Sequence, residues 1–246
     1  LAQVDWDTYE TSWDFTQNPI IRTQHSNLEE AFNTWQQQNA DAVAEMKRLE
    51  EENNKLFIDA YGLQDELTPD VPDEQITLTR ADREKDSQRL VSYALGCMMG
   101  RYSLDEPGLI YAHAGNQNFD SNRYQKFPAD ADGIIPLTEM HWFEDDATHR
   151  IREFLTAVWS KDTLDANMQW LAESLDKKAS ETAEDTIRRY LASKFYKDHM
   201  QTYKKRPIYW LFSSGKQGAF QALVYLHRYN ESTLARMRTE YVMPLI

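Results

Sequence analysis

A near-heptad stripe of apolar residues in the first quarter of the chain constrains the fold more than any other feature. Its members are Leu28, Phe32, Trp35, Val43, Met46, Leu49, Leu56 and Ala60. Ser26 and Glu29 have the spacing of a capping box, and Gly62 stands where a left-handed residue would end the helix. The pattern predicts one helix over 27–61, roughly 50 Å long at ~1.5 Å per residue. This length is typical of a spacer or a coiled-coil arm.

The remaining periodicities predict a mainly α chain with a small β-hairpin, an α+β fold in which a long spacer-like helix precedes a helical domain. The first 25 residues are expected to form an extended arm, and 68–78 and 103–141 to be irregular. Further helices are predicted over 79–100, 145–160, 163–175, 181–203 and from 231 onward. Between the last two, the apolar period changes from 3.6 to 2, which predicts strands over 207–212 and 220–225. We therefore expect an arm and long helix at 1–63 and a helical domain at 64–246, with the hairpin near 207–225.

The net charge of −13 conceals an asymmetry along the chain. The segment 186–240 has eleven Lys and Arg against three Asp and Glu, a balance of +8. Subtracting these from the 27 basic and 40 acidic residues of the whole chain leaves a balance of −21 elsewhere. A polyanion would be repelled by most of the surface, and it would be attracted only to the C-terminal quarter.

Residues 203–229 form a basic and aromatic island with seven aromatic residues and no Asp or Glu. The predicted nucleic-acid-binding residues are its five cations, Lys204, Lys205, Arg206, Lys216 and Arg228. Such residues would contact phosphates, which supplies affinity without sequence information. In a competing interpretation, the aromatic residues belong to the core and the lysines keep an edge strand soluble.

The sequence predicts no catalytic residue, metal ligand or cofactor within this chain. It has no glycine-rich dinucleotide turn and no GxxxxGK[ST] loop. It also has no Asn/Asp-Pro-Pro-aromatic tetrapeptide, which an amino-methyltransferase uses to hold its target base. The single Cys97 excludes an internal disulfide and a finger-type zinc site, and its apolar neighbours indicate an inert core thiol. No apolar run reaches the ~20 residues that span a bilayer, so no membrane partner is expected.

The best metal candidate is the segment from His141 to His149, where Asp145 and His149 would lie one helical turn apart. A hydrolase built on this segment is one alternative. The other interpretation is a helix N-cap followed by acidic residues that favour the helix dipole.

Three stretches resemble the BREX (bacteriophage exclusion) adenine-specific DNA methyltransferases of the PglX family. They are FIDAYGLQDEL at 57–67, SYALGCMMGRYSLDEPGLIYA at 92–112 and the longer FYKDHMQTYKKRPIYWLFSSGKQGAFQALVYLHRYNESTLARMRTEY at 195–241. The resemblance implies transfer of a methyl group from S-adenosylmethionine to adenine N6 in DNA. Since the methyl-donor loop and the base-holding tetrapeptide have no counterpart here, it implies a non-catalytic region downstream of the methyltransferase domain.

The expected partners follow from that resemblance. They are DNA, through 186–240, the methyltransferase domain of the same parent chain and other phage-defence subunits, all in the bacterial cytoplasm. The chain has no initiator Met, and we expect it to be part of a longer protein in which S-adenosylmethionine binds elsewhere. The alternative is a protein-interaction scaffold that contacts other defence-system subunits without binding DNA, which the acidic balance of −21 favours.

Overall fold

A computed structural model describes residues 1–215 and 219–245. Its α-helices are α1 (Ala2–Trp6), α2 (Pro19–Arg22), α3 (Leu28–Tyr61), α4 (Arg83–Met98), α5 (Ala147–Val158), α6 (Leu164–Ser174), α7 (Ala183–Ser193), α8 (Phe195–Thr202) and α9 (Thr233–Arg236). Its strands are β1 (Ile134–Pro136), β2 (Tyr209–Ser213) and β3 (Gln221–Tyr225). The predicted fold class, mainly α with a small β element, is confirmed.

The main core is a helical bundle around α4. The second half of α4 is apolar nearly all round, so it can be surrounded by other elements. Leu90, Val91 and Leu95 are at most 1% exposed, and α4 packs against α5, α6 and α8. Burial also raises the pKa of the Cys97 thiol well above its ordinary value, as expected of a core cysteine.

The three strands form one antiparallel sheet in the order β1-β3-β2. β2 and β3 make the predicted hairpin, with Leu211 opposite Leu223, and Ile135 of β1 is opposite Leu223 on the other side. Leu223 and the residues on its face of the sheet join the bundle core. The opposite face packs against the segment that continues α9, through Met237 and Tyr241. The sheet therefore lies between the bundle and the C-terminal helical segment, with β2 at its edge.

α3 extends beyond the bundle. Its buried residues are concentrated in its first half, from Leu28 to Asn39, with Ile58 near its end. Along its middle, the loop that follows folds back and packs Val71 and Ile76 against the helix. The helix ends as predicted at Gly62, whose φ of 69° is the left-handed conformation that glycine adopts without strain. The division into domains at residue 63 stays a prediction.

Several local expectations were wrong. The predicted extended arm contains α1 and α2, because Asn18 caps α2 and Pro19 follows at its first position. The N-cap of α3 is Asn27, whose Oδ1 accepts from Glu30 N, instead of Ser26. The irregular stretch 103–141 contains β1, which is too short to give a period.

The single helix predicted over 181–203 is divided at Lys194 into α7 and α8. Ser193 Oγ donates to the carbonyl of Arg189 at 2.6 Å. A serine hydroxyl bonded to the preceding turn in this way bends helices.

Candidate nucleic-acid interface

The turn after α8 displays three of the predicted cations. Lys204, Lys205 and Arg206 are exposed. The turn is tight because Lys205 N donates to Met200 O at 2.7 Å and Arg206 N donates to Tyr203 O at 2.9 Å. Lys204 and Lys205 have φ values of 50° and 63°, and each left-handed side-chain residue costs about 1–2 kcal/mol. We call residues 203–206 the basic turn.

Buried groups hold both ends of the basic turn. His199, 3% exposed, accepts through Nε2 from the backbone N–H groups of Ile208 at 3.1 Å and Tyr209 at 3.2 Å. Since both partners donate, Nε2 carries no proton. At the other end, Tyr203 Oη donates to Glu10 Oε2 at 3.1 Å. Burial raises the pKa of the Glu10 carboxyl. These contacts of His199 and Glu10 therefore hold the basic turn in its strained backbone conformation.

The protonation of His199 matters to this arrangement. Burial, with a further contribution from the charge of Arg101, lowers the pKa of His199 to about 4. The imidazole is neutral at neutral pH and keeps its lone pair for the two backbone donors. Sequence reasoning missed this residue, because its role depends on a contact between α8 and β2 that no local pattern reveals.

The three side chains of the basic turn are available to a ligand. None of them forms an ion pair with a carboxylate in the part of the chain that the structure describes. Trp210, at the start of edge strand β2, is 39% exposed, and its ring centroid lies 5.9 Å from that of Tyr229. Trp210 is thus a hairpin aromatic that is not enclosed in the core. Cations and an exposed indole thus lie close together along the chain.

Arg228 does not belong to this surface. It is 1% exposed, and its guanidinium donates to Asn116 Oδ1 at 3.0 Å, Asp130 O at 2.5 Å and Ala131 O at 2.8 Å. The guanidinium carbon lies 3.8 Å from the centroid of the Phe119 ring. The predicted phosphate contact is therefore corrected: Arg228 fastens the segment 116–131 to the end of β3. Lys216, at the predicted hairpin tip, lies outside the described residues.

Other cations of the basic segment are also paired. Arg188 Nη1 contacts Asp146 Oδ2 at 2.9 Å, and Arg189 Nε contacts Glu181 Oε1 at 2.7 Å. Both carboxylates lie outside 186–240, so the count of +8 overstates the free positive charge. Among the described cations of this segment, those without an ion pair are consecutive in sequence only in the basic turn.

The His141–His149 segment forms a helix cap. Asp146, which is fully buried, accepts from His149 N at 2.8 Å and also contacts His141 Nδ1 and Arg188 Nη1 at 2.9 Å. Within 1–215 and 219–245, no three His, Cys, Asp or Glu side chains are grouped so that they could hold a metal ion. Asp146 thus caps a helix and binds Arg188, which favours the interpretation of this segment as a helix N-cap over a metal site.

No protein-family model matches the chain. Two curated bacterial proteins, both adenine-specific methyltransferases, are similar to it. The methyltransferase BrxX of Escherichia coli O9:H4 (strain HS) is 43% identical over 272 residues, covering 100% of this chain and 22% of that protein. The methyltransferase PglX of Lacticaseibacillus casei (strain Zhang) is 43% identical over 252 residues, covering 99% of this chain and 21% of that protein.

Along nearly its whole length, the chain is therefore similar to one portion of two bacterial adenine-specific methyltransferases. It belongs to the BREX PglX family, as the resemblance predicted, and it spans about a fifth of the length of the curated relatives it matches. Among the described residues, no helix is long and apolar enough to cross a membrane.

Proposed function

We propose that this chain is a non-catalytic, DNA-contacting region of an S-adenosylmethionine-dependent adenine-N6 DNA methyltransferase of a BREX phage-defence system. The observation that carries the proposal is the basic turn, whose three consecutive cations are exposed and form no ion pair with a described carboxylate, and which exposed Trp210 follows in sequence. The similarity to adenine-specific methyltransferases along the whole chain supports it. The chain has neither a methyl-donor loop nor a base-holding tetrapeptide, so methyl transfer is assigned to the remainder of the parent enzyme.

The expected contact is with the DNA backbone. Lys204 and Lys205 would each neutralise a phosphate, and the planar guanidinium of Arg206 suits a bidentate contact with phosphate oxygens. Trp210 would pack against a sugar or an unstacked base. Contacts of this kind set the register of a protein on the duplex without reading its sequence. The region would therefore support target recognition, while its specificity lies elsewhere in the enzyme.

Fluorescence anisotropy with a labelled duplex at low salt tests the proposal. The variant Lys204→Glu/Lys205→Glu/Arg206→Glu should bind at least about tenfold more weakly. The slope of log K against log[salt] for the wild-type chain should be about −3, as expected for three phosphates at ~0.9 each.

The matched control is Lys55→Glu/Lys161→Glu/Lys178→Glu, three exposed lysines elsewhere on the chain. It changes the net charge by the same amount, and it should retain most of the affinity. If both variants bind like the wild type, or lose affinity equally, the basic turn is not a DNA contact.

The second candidate function is a protein-interaction scaffold that contacts other defence-system subunits. The acidic balance outside the basic segment and the exposed apolar residues near the end of α3 favour it. Co-purification of sibling subunits with the chain, without any change in anisotropy of the labelled duplex, would decide for the scaffold.

A further inference from the structure

The far end of α3 exposes a second surface, which is apolar and acidic. Five large hydrophobic residues between positions 49 and 67 are 41–72% exposed: Leu49, Leu56, Phe57, Tyr61 and Leu67. Scattered exposed hydrophobic residues are normal, but a contiguous group indicates an interaction site. We call this group the apolar tip.

Within the apolar tip, Leu49 and Leu56 lie on the side of α3 away from its own loop. The loop covers the face that carries Glu51, Asn54 and Ile58: Val71 N donates to Glu51 Oε1 at 3.2 Å, and Asn54 Nδ2 donates to Pro69 O at 3.2 Å. With ~100° per residue, Leu49 and Leu56 share a stripe roughly opposite that face. The chain's own loop therefore protects one side of the helix end and leaves the stripe uncovered.

Two aromatic residues extend the exposed apolar surface from the stripe round the helix toward the face that the loop covers. Phe57 and Tyr61 are four residues apart, and their rings are stacked with centroids 6.5 Å apart. A pair spaced in this way lies on one helix face. Together with Leu56, they present the kind of apolar ridge that packs against another helix or into a groove.

The charge around the apolar tip selects its partner. Residues 49–74 contain nine acidic residues and one basic residue, Lys55, a balance of −8. Lys47 is held by Asp73 at 2.7 Å, and Arg48 contacts both Glu45 at 2.8 Å and Glu52 at 2.9 Å. The neighbouring cations are thus occupied, and the field at the tip stays negative.

The exposed apolar residues and the acidic residues around them together exclude three kinds of partner for the apolar tip. DNA and an anionic membrane would be repelled by the acidic residues. A second copy that docked symmetrically would place the same acidic residues opposite each other, which costs affinity. We propose that the apolar tip binds an amphipathic protein segment whose apolar face is flanked by Lys and Arg. The proposal is independent of DNA contact by the basic turn.

A synthetic 18-residue helical peptide of Leu and Lys, with the lysines flanking a leucine stripe, is the probe. Its fluorescence anisotropy should report binding to the wild-type chain that weakens as salt rises. The variant Leu56→Gln/Phe57→Gln should bind at least about tenfold more weakly, because two apolar side chains are lost from the contact. A peptide of the same pattern with Glu in place of Lys should not bind.

The matched control is Leu109→Gln/Leu234→Gln, which removes two hydrophobic residues that are 54% and 50% exposed elsewhere on the surface. It should bind the Leu/Lys peptide like the wild type. Equal loss in both variants, equal binding of the Leu/Glu peptide, or self-association that disappears in Leu56→Gln/Phe57→Gln would overturn the proposal. The same variant should bind duplex DNA normally, so failure here is distinguishable from failure of the basic turn.

Discussion

Two turns flank the hairpin, and they use their cations in opposite ways. The basic turn, before β2, exposes Arg206 and its two lysine neighbours. The turn at Leu226–Arg228, after β3, buries Arg228 against three hydrogen-bond acceptors and the Phe119 ring. Both arginines belong to the same basic island of the sequence. One is free to meet a ligand and the other is part of the fold.

The difference shows that a local excess of positive charge does not identify a binding surface by itself. Arg228 is buried because the segment 116–131 supplies backbone carbonyls for it. Burial lowers the pKa of its guanidinium only relative to a very high ordinary value, so it stays charged. Free cations are distinguished from structural ones by the acceptors around them, which become visible only in three dimensions.

The largest expected effect is on stability at Arg228. Arg228→Ala should lower the free energy of unfolding by about 3 kcal/mol, because two buried carbonyls and Asn116 lose their donor. For a chain of this size the melting temperature should fall by roughly 6–12 °C. The comparison variant Arg206→Ala should change stability by less than about 0.5 kcal/mol. Urea titrations of both variants measure the difference, and equal effects would contradict the contrast between the two turns.

The second-largest expected effect is a loss of stability at acid pH, caused by protonation of His199, which supports the basic turn. Since the folded pKa of His199 is about 4 and its ordinary value is 6.5, the stability that the neutral imidazole provides is present above pH 6.5. It should be lost as the pH falls toward 4, by up to about 3 kcal/mol. Protonation of Nε2 would break both backbone bonds.

In the variant His199→Gln, the free energy of unfolding should depend less on pH between 6.5 and 4. The difference between wild type and variant separates the contribution of His199 from that of other titrating groups. Urea midpoints at pH 7 and pH 5 provide the measurement. Exposed His113→Gln is the control, and it should leave the profile of the wild type unchanged. Parallel profiles for wild type and His199→Gln would show that His199 does not hold the turn.

The smallest expected effect tests strain in the basic turn. Lys205→Gly should raise the free energy of unfolding by about 0.5 kcal/mol, because relief of the left-handed strain exceeds the added chain entropy of glycine. Lys197→Gly, inside α8, should lower it by about 0.5–1 kcal/mol. Chemical denaturation of the two variants checks the opposite signs. A loss of stability in both would mean that the turn carries no strain.

Local sequence patterns predicted those structural elements that are determined by residues close together in the chain. The end of α3 at Gly62 and the hairpin strands follow from residues adjacent in sequence, and so does the burial of the second half of α4. β1 was missed because its three residues acquire their role only by pairing with β3. The division of the helix at Lys194 was missed because the Ser193 back-bond and the packing of both halves decide it.

The placement of the predicted site residues divides in the same way between local and distant causes. Exposure of Lys204, Lys205 and Arg206 follows from their place in a polar turn, which the sequence shows. The burial of Arg228 required knowledge that Asp130 and Ala131 lie beside it, about a hundred residues away. Support of the turn by His199 and Glu10 likewise depends on contacts between elements.

The pairing of β1 with β3 also has a consequence for the order of folding. Ile134 pairs with Val224, so the central strand must find a partner 90 residues earlier in the chain. Contacts this distant form slowly, because a long loop must close before any pairing stabilises it. From α5 to α8, each helix contacts the next one in sequence, so this part of the bundle should assemble first. We therefore expect the pairing of β1 with the hairpin to be a late folding phase, detectable as slow protection of the β1 amides from hydrogen exchange after refolding begins.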